Sequence, residues 1–275
     1  MKLSHLRIGL LLLVLLVSTS GCGYVNSIRA KSQLNEAVSA YKDKRYDEAE
    51  KYARKAISLD PTNENGPLIL AVVLQTEYRR GDTSDVNVKR AEESIQLYKE
   101  VEKQDPNNDQ AFTTVTVLLG YLGKTDEQLE WVKQRANNGN VSKDKRAEAY
   151  AFLANKDWDC SRAVTDKSQQ RVSKPDGSVV IQYKKPTDSK EYDDAVKCMT
   201  EGMQLAETAI SMDTESETAW AQKYNLLLEA GKLAKMDGND SKATEYEKQA
   251  TEAREQGKKL HEKAKAAQTP TPPAG

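Results

Sequence analysis

From Leu34 to Pro61 the chain spells out two short helices and the turns that bound them. Leu34, Ala37, Val38 and Tyr41 fall on one helical face, and that pattern stops at the charged turn Lys42 to Arg45. Tyr46-Asp47-Glu48-Ala49 opens a second helix, which Tyr52, Ala53, Ala56 and Ile57 stripe and Asp60-Pro61 ends. Proline ends it because the ring removes a backbone donor and clashes with the preceding turn. Two helices of about four turns, joined this tightly, form an αα-hairpin whose apolar face stays wet unless another hairpin covers it. The rest of the chain has to supply those neighbours.

A second unit runs from Asn65 to Asn108, with helices over Leu68–Tyr78 and Ala91–Gln104, extra residues around Gly81 to Lys89, and a second Asp-Pro ending at Asp105-Pro106. A third spans Asp109 to Asn140; Phe112, Val115 and Leu119 stripe its first helix and Asp126-Glu127-Gln128-Leu129 opens its second. A fourth begins with Ala147 to Ala154 and then departs from the pattern. Arg171 to Tyr183 reads as two short strands about a Pro175-Asp176-Gly177 turn, a β-hairpin inserted within that unit. Tyr192-Asp193-Asp194-Ala195 resumes the helical pattern. The step from Ala195 to Ala209 is twice that from Ala49 to Ala56, so this helix is two turns longer and keeps the same buried face. The last unit, Glu217 to Lys265, turns Trp220, Tyr224, Leu227 and Leu228 inward and ends in a very charged helix, as an array cap should.

Composition suits such an array. With 2 Phe and 3 Trp among 275 residues, the core has to be built from Ala, Leu, Val and Tyr, which favours close helix packing. Ala37, Tyr41, Tyr46, Asp47, Glu48, Ala49, Ala56, Ile57, Asp60 and Pro61 together resemble a tetratricopeptide repeat. That resemblance implies an all-α fold, a right-handed α-solenoid of about five helical hairpins over residues 30–265, with the β-hairpin insertion at 168–188. It further implies that the first helix of each unit lines a groove for a partner's peptide or helix. The matching positions are Leu34, Val38, Tyr41, Lys42, Ala71, Gln75, Tyr78, Arg79, Thr113, Val117 and Tyr121. Tyr41, Tyr78 and Arg79 are the preferred anchors, since Tyr and Arg dominate interface energetics; the alternative for Tyr41 and Tyr78 is packing between repeats.

The first 21 residues have the parts of an export signal: basic Lys2 and Arg7, an apolar run from Ile8 to Val17 too short to span a bilayer, and small residues before a cut site. The alternative is an uncleaved anchor helix. Ser18-Thr19-Ser20-Gly21-Cys22 resembles the lipobox of bacterial lipoproteins, with Thr19 where that motif usually has Leu. The resemblance implies a diacylglycerol thioether on Cys22 and acylation of the new amino terminus, which would hold the protein at a membrane surface. Residues 22–29 then form a short tether. Gly23 in place of Asp implies, by the sorting rule of enteric bacteria, the outer membrane facing the periplasm. Residues 266–275 form a proline-rich tail. Removing Lys2 and Arg7 with the leader leaves 39 basic against 42 acidic residues, a balance of −3 that gives nucleic acid no basic field to bind.

Cys160 and Cys198 flank the hairpin and are expected to form a disulfide in an oxidising compartment, the alternative being two buried thiols. With only His5 and His261 available, no metal site is expected. No nucleophile motif, phosphate-binding loop or poised carboxylate pair marks a catalytic site, so neither catalysis nor a cofactor is expected. The charge run from Lys242 to Lys265 reads as a solvated helix face. The expected function is therefore a membrane-anchored interaction scaffold of the bacterial envelope, for a protein or peptide partner whose identity, like the oligomeric state, the sequence leaves open. The alternatives are a component of outer-membrane protein assembly or pilus biogenesis, an enzyme with a cleft under the hairpin, and strand addition along Val179-Val180-Ile181.

Overall fold

The computed structural model describes the backbone of residues 3–268 and the side chains of residues 23–267. The chain divides into two compact units, one reaching Gln128 and one starting at Leu129. The first unit contains α1 (Leu3–Lys42), α2 (Tyr46–Leu59), α3 (Asn65–Glu77), α4 (Asp85–Gln104) and α5 (Asp109–Tyr121), and α6 (Thr125–Asn137) runs through the division. The second contains α7 (Lys143–Lys167), strands β1 (Gln169–Ser173) and β2 (Val179–Tyr183), α8 (Ser189–Met212), α9 (Glu217–Met236) and α10 (Asp240–Gln268). The fold is all-α, a succession of helical hairpins carrying one two-stranded sheet.

Two kinds of turn recur and explain why the hairpins repeat. Within a hairpin, the connections after α1, α5 and α9 each hold a residue in the left-handed region: Lys44 (φ 62°), Gly123 (φ 69°) and Gly238 (φ 70°). Each is followed by the same closing bond, from Arg45 N–H to the Ala40 carbonyl (2.8 Å), Lys124 N–H to Leu119 (2.9 Å) and Asn239 N–H to Ala234 (2.9 Å). These bonds satisfy carbonyls that a helix end leaves open. Between hairpins, Asp60, Asp105, Asn138 and Asp213 each accept, through the side chain, the N–H two residues on, from Thr62, Asn107, Asn140 and Glu215. A short polar side chain that mimics a backbone turn in this way fixes the angle at which the next hairpin starts. Asp213 does so with no proline after it.

The core is made mostly of small residues. Ala37, Ala40, Ala49 and Ala53 are fully buried, packing with Leu70, Val73 and Leu74 under a rim of Tyr41, Tyr46 and Tyr52. In the second unit, Ala154, Ala206 and Leu226 pack together, and a Cβ on Gly202 would lie 2.8 Å from the Asp157 Cβ and 2.9 Å from Leu226 Cδ2. Only glycine lets α8 approach α7 and α9 that closely.

Several expectations are corrected. Residues 23–29 continue α1 and form no separate tether. The extra segment of the second unit is the loop 78–84, with α4 already helical from Asp85. The fourth unit does not break after Ala154: α7 continues unbroken to Lys167, because its buried stripe turns polar instead of ending. Ser161 and Thr165 are fully buried there; Thr165 Oγ1 donates to buried Glu229 (2.5 Å), whose other carboxylate oxygen accepts from Lys232 (2.7 Å). The expected tail begins later, since α10 runs through Gln268; the rest lies outside the described residues.

The β-hairpin is where the sequence places it, between α7 and α8, with Gln169 opposite Tyr183 and Ser173 opposite Val179. Asp176 accepts from Ser178 N–H at 2.9 Å and Gly177 takes the positive φ of 82° that the turn requires. Tyr183 joins Val164, Tyr192, Ala195 and Leu233 in an apolar cluster that closes the base of the hairpin. A cleft at that place, on which the enzymatic alternative depended, is therefore filled.

Candidate functional site

The end of α3 is held by a residue with no apolar role. Asn87 on α4 is buried, accepts from Arg79 N–H (2.8 Å), and donates to the carbonyls of Arg79 (2.9 Å) and Asp82 (2.7 Å). This one side chain replaces the helix hydrogen bonds that the loop 78–84 gives up, and so sets where Tyr78, Arg79 and Arg80 point. Tyr78, extended at the end of α3, stacks on Tyr121 at the end of α5, with ring centroids 6.4 Å apart and planes 17° apart. The Arg80 guanidinium lies 4.4 Å from the centroid of the Tyr121 ring, within cation–π range.

Beneath these rings lies a cavity of about 260 Å³, whose walls include Gln75, Thr113, Val117 and Leu118. Gln75 is oriented from below: the fully buried Tyr98 on α4 donates its hydroxyl to Gln75 Oε1 at 2.8 Å. Burial pushes the Tyr98 pKa up, which keeps that hydroxyl a donor. Val117 is 40% exposed and Tyr121 45%, high values for large apolar residues on packed helices. Among the described residues no carboxylate pairs with Arg80. The site is thus a slot of aromatic, aliphatic and neutral polar side chains with a cation at its rim.

Of the eleven groove positions expected from the sequence, the structure gathers Gln75, Tyr78, Thr113, Val117 and Tyr121 around this slot. The others lie elsewhere. Leu34 and Ala71 are core residues, 6% and 0% exposed, because the first helix of each hairpin turns these positions into its own packing; they offer a partner nothing. Tyr41 packs on Tyr46 and shares a 3.2 Å hydrogen bond with Thr76, an anchor between the first two hairpins. Val38 is half-buried and Lys42 is exposed in the last turn of α1. Arg79 points away from Tyr78, into a separate cavity of about 560 Å³ beside Lys44, Tyr46 and Glu77. The cation of the slot is its neighbour Arg80. Sequence reasoning missed Arg80 and Asn87; an Asn ten residues beyond Glu77, the last helical residue before the loop, was the available signal for the latter.

Cys160 and Cys198 form a disulfide between α7 and α8, their Cα atoms 6.0 Å apart. The Cys22 side chain lies outside the described residues, so its expected acylation stays an expectation. Val179 and Ile181 on β2 are exposed. Among the described residues no group of three or more His, Cys, Asp or Glu could hold a metal ion, and no helix is long and apolar enough to cross a membrane.

In the second unit a groove of about 550 Å³ runs beside Tyr150, Leu153, Asp157 and Glu201. Asp157 is pushed up to about 6, first by burial and then by the charge of Glu201, with Lys133 opposing.

Recurrent hairpins of this kind define a helical-repeat fold. Residues 30–63 match the tetratricopeptide repeat family model. No curated protein matches the sequence. Among solved structures, the MamA protein is similar at 14% identity and a TM-score of 0.43, covering 89% of this chain and 98% of its own. Pseudomonas aeruginosa pilF is similar at 12% identity and 0.39, covering 80% of this chain and 90% of its own. YrrB, described as a TPR protein with an unusual peptide-binding site, is similar at 14% identity and 0.40, covering 84% and 90%. At TM-scores this low, the functional reading rests on the slot itself.

Proposed function

We propose that the protein is a lipid-anchored interaction scaffold of the bacterial cell envelope that captures a protein partner in the slot between α3 and α5. The observation that carries this reading is the stacked Tyr78–Tyr121 pair, Tyr121 exposed and Tyr78 half-buried, over a cavity walled by Val117 and Leu118 on one hand and Gln75 and Thr113 on the other. Rigid aromatic rings lose little entropy when covered, and a pocket lined by them takes an inserted apolar side chain. Arg80, with no carboxylate partner among the described residues, selects a segment in which that apolar residue is next to an acidic one. The envelope placement rests on the leader and the lipobox-like Ser18 to Cys22.

Photocrosslinking in cells tests the slot. A photoreactive residue at Tyr121 should yield a discrete crosslinked protein, and Tyr78→Ala should weaken that capture at least about tenfold, the scale of an interface anchor. The same product from a photoreactive residue at exposed Gln96 on α4, or capture unchanged by Tyr78→Ala, would refute the reading.

A further inference from the structure

The outward face of α1, immediately after Cys22, is apolar where a surface helix should be polar. Tyr24 is 72% exposed, Ile28 53% and Val25 44%. At about 100° per residue, Val25 and Ile28 stand about 100° and 40° from Tyr24, so the three form one sector of the helix. The side that packs against the hairpin is elsewhere: Ala30, Leu34 and Ala37 are buried about 120°, 80° and 140° round from Tyr24 in the other sense. Nothing in the first unit's core therefore needs these three residues. Exposed Arg29 and Lys31 flank the sector on its two sides, and Ser32 and Asn35, which continue the same face, are polar and exposed. The apolar patch is confined to the first turn and a half after the cysteine.

We infer that residues 24–28 seat α1 on a phospholipid surface, with Tyr24, Val25 and Ile28 in the boundary between headgroups and acyl chains and Arg29 and Lys31 against phosphates. This inference rests on the reading that Cys22 is acylated. An acyl anchor alone leaves a protein free to swing. Here the backbone is helical from residue 23 unbroken to Lys42, so whatever seats residues 24–28 also fixes the direction of the first hairpin. Tyrosine suits the water–lipid boundary, having an apolar ring and a hydroxyl that stays wet. The side of α1 facing away from lipid is engaged with protein: the Ser27 hydroxyl hydrogen-bonds Asp60 at the end of α2 and, after Thr62, helps hold that carboxylate below its usual range. Three residues on one sector point to a shallow seat, in keeping with the roughly 5–10 Å depth of interfacial helices.

The test uses the full chain produced with its leader in a bacterium and reconstituted on vesicles of phosphatidylethanolamine and phosphatidylglycerol. Cysteine variants at Tyr24, Ile28, Lys31 and Asn35 carry an environment-sensitive fluorophore, and the mass of the mature amino terminus is measured on the same material. With the amino terminus acylated, labels at 24 and 28 should be blue-shifted and at least about fivefold less accessible to an aqueous quencher than the label at 35, as insertion of that patch requires. Equal quenching at 24, 28 and 35 on acylated protein would overturn the inference and leave the lipoprotein reading standing. Shielding at 24 and 28 that persists without vesicles and rises with protein concentration would also overturn it, because a second copy would then cover the patch. An unacylated amino terminus would overturn the lipoprotein reading, and the inference with it.

Discussion

Replacing Asp157 with Asn should stabilise the protein near neutral pH, against the usual trend of substitutions at half-buried sites. Asp157 sits on α7 where α8 comes closest, beside Gly202, and its pKa is pushed from 3.8 up to about 6. Burial is the first cause, Glu201 the second, and Lys133 offsets part of both. The folded chain therefore holds this proton more tightly than the unfolded chain does. The contribution to stability is complete below about pH 4 and is lost as pH rises through about 6, the direction linkage requires for a raised carboxylate. Two pKa units correspond to about 3 kcal/mol. Solvent screening of a partly exposed group reduces this to about 1–2 kcal/mol. Urea unfolding followed by helical circular dichroism, compared between wild type and Asp157→Asn at about pH 4 and about pH 7, isolates the effect because other titrating groups are common to both. The variant should be more stable by about 1–2 kcal/mol at about pH 7, with the difference closing towards about pH 4. Equal pH dependence in the two proteins, or a variant less stable at neutral pH, would refute the reasoning.

Cys198→Ser should lower stability by up to ~4 kcal/mol, the chain-entropy value for a loop closed over a separation of 38 residues. Reductant should lower the wild-type unfolding midpoint by the same amount and leave the variant unmoved; a wild type indifferent to reductant would contradict this. Asn87→Ala leaves one backbone N–H and two carbonyls of the loop without their partner, at a cost of about 1–3 kcal/mol. It should also weaken partner capture as Tyr78→Ala does, and a variant that unfolds earlier yet crosslinks through position 121 as strongly as wild type would show that Asn87 does not position the slot.

Much of the architecture was legible because burial and periodicity say the same thing. Ala37, Ala49, Ala53 and Ala56 recur at helical spacing and are fully or almost fully buried. The β-hairpin was equally open to reading, since β-branched residues about a Pro-Asp-Gly turn have few other uses in a helical chain. The length of α7 was not, because its fully buried residues past Trp158 are Ser161 and Thr165, and hydropathy cannot tell a buried polar residue such as Thr165, bonded to Glu229, from one in solvent. The slot was half legible. The positions matched through the repeat resemblance include Gln75, Tyr78, Thr113, Val117 and Tyr121, which the structure gathers, but also Leu34 and Ala71, which it buries. Position along a helix does not say whether a side chain reaches the groove or stops in the packing beneath it. Arg80 escaped because it lies in the loop past the last position that the repeat resemblance matched, where the path of the chain is set by Asn87.

The turns show why the candidate site lies where it does. The connections between successive hairpins, at Asp60, Asp105, Asn138 and Asp213, use the same side-chain bond every time, because each must deliver the next pair of helices at the angle that buries its alanines. The connections within a hairpin have only to return the chain. Three of them close identically, at Lys44, Gly123 and Gly238, but the other two have grown: 78–84 became a loop pinned by Asn87, and the segment between α7 and α8 became a β-hairpin. Both enlargements leave the packing of alanines untouched, which is the condition for an insertion to be tolerated. They differ in what they do with their apolar residues. The hairpin turns Tyr183 down onto Val164 and Leu233 and closes over its own base, whereas the loop sends Tyr78 out to meet Tyr121 over an open cavity. An apolar ring stacked over an unfilled slot is unused burial, and a partner side chain is what can use it.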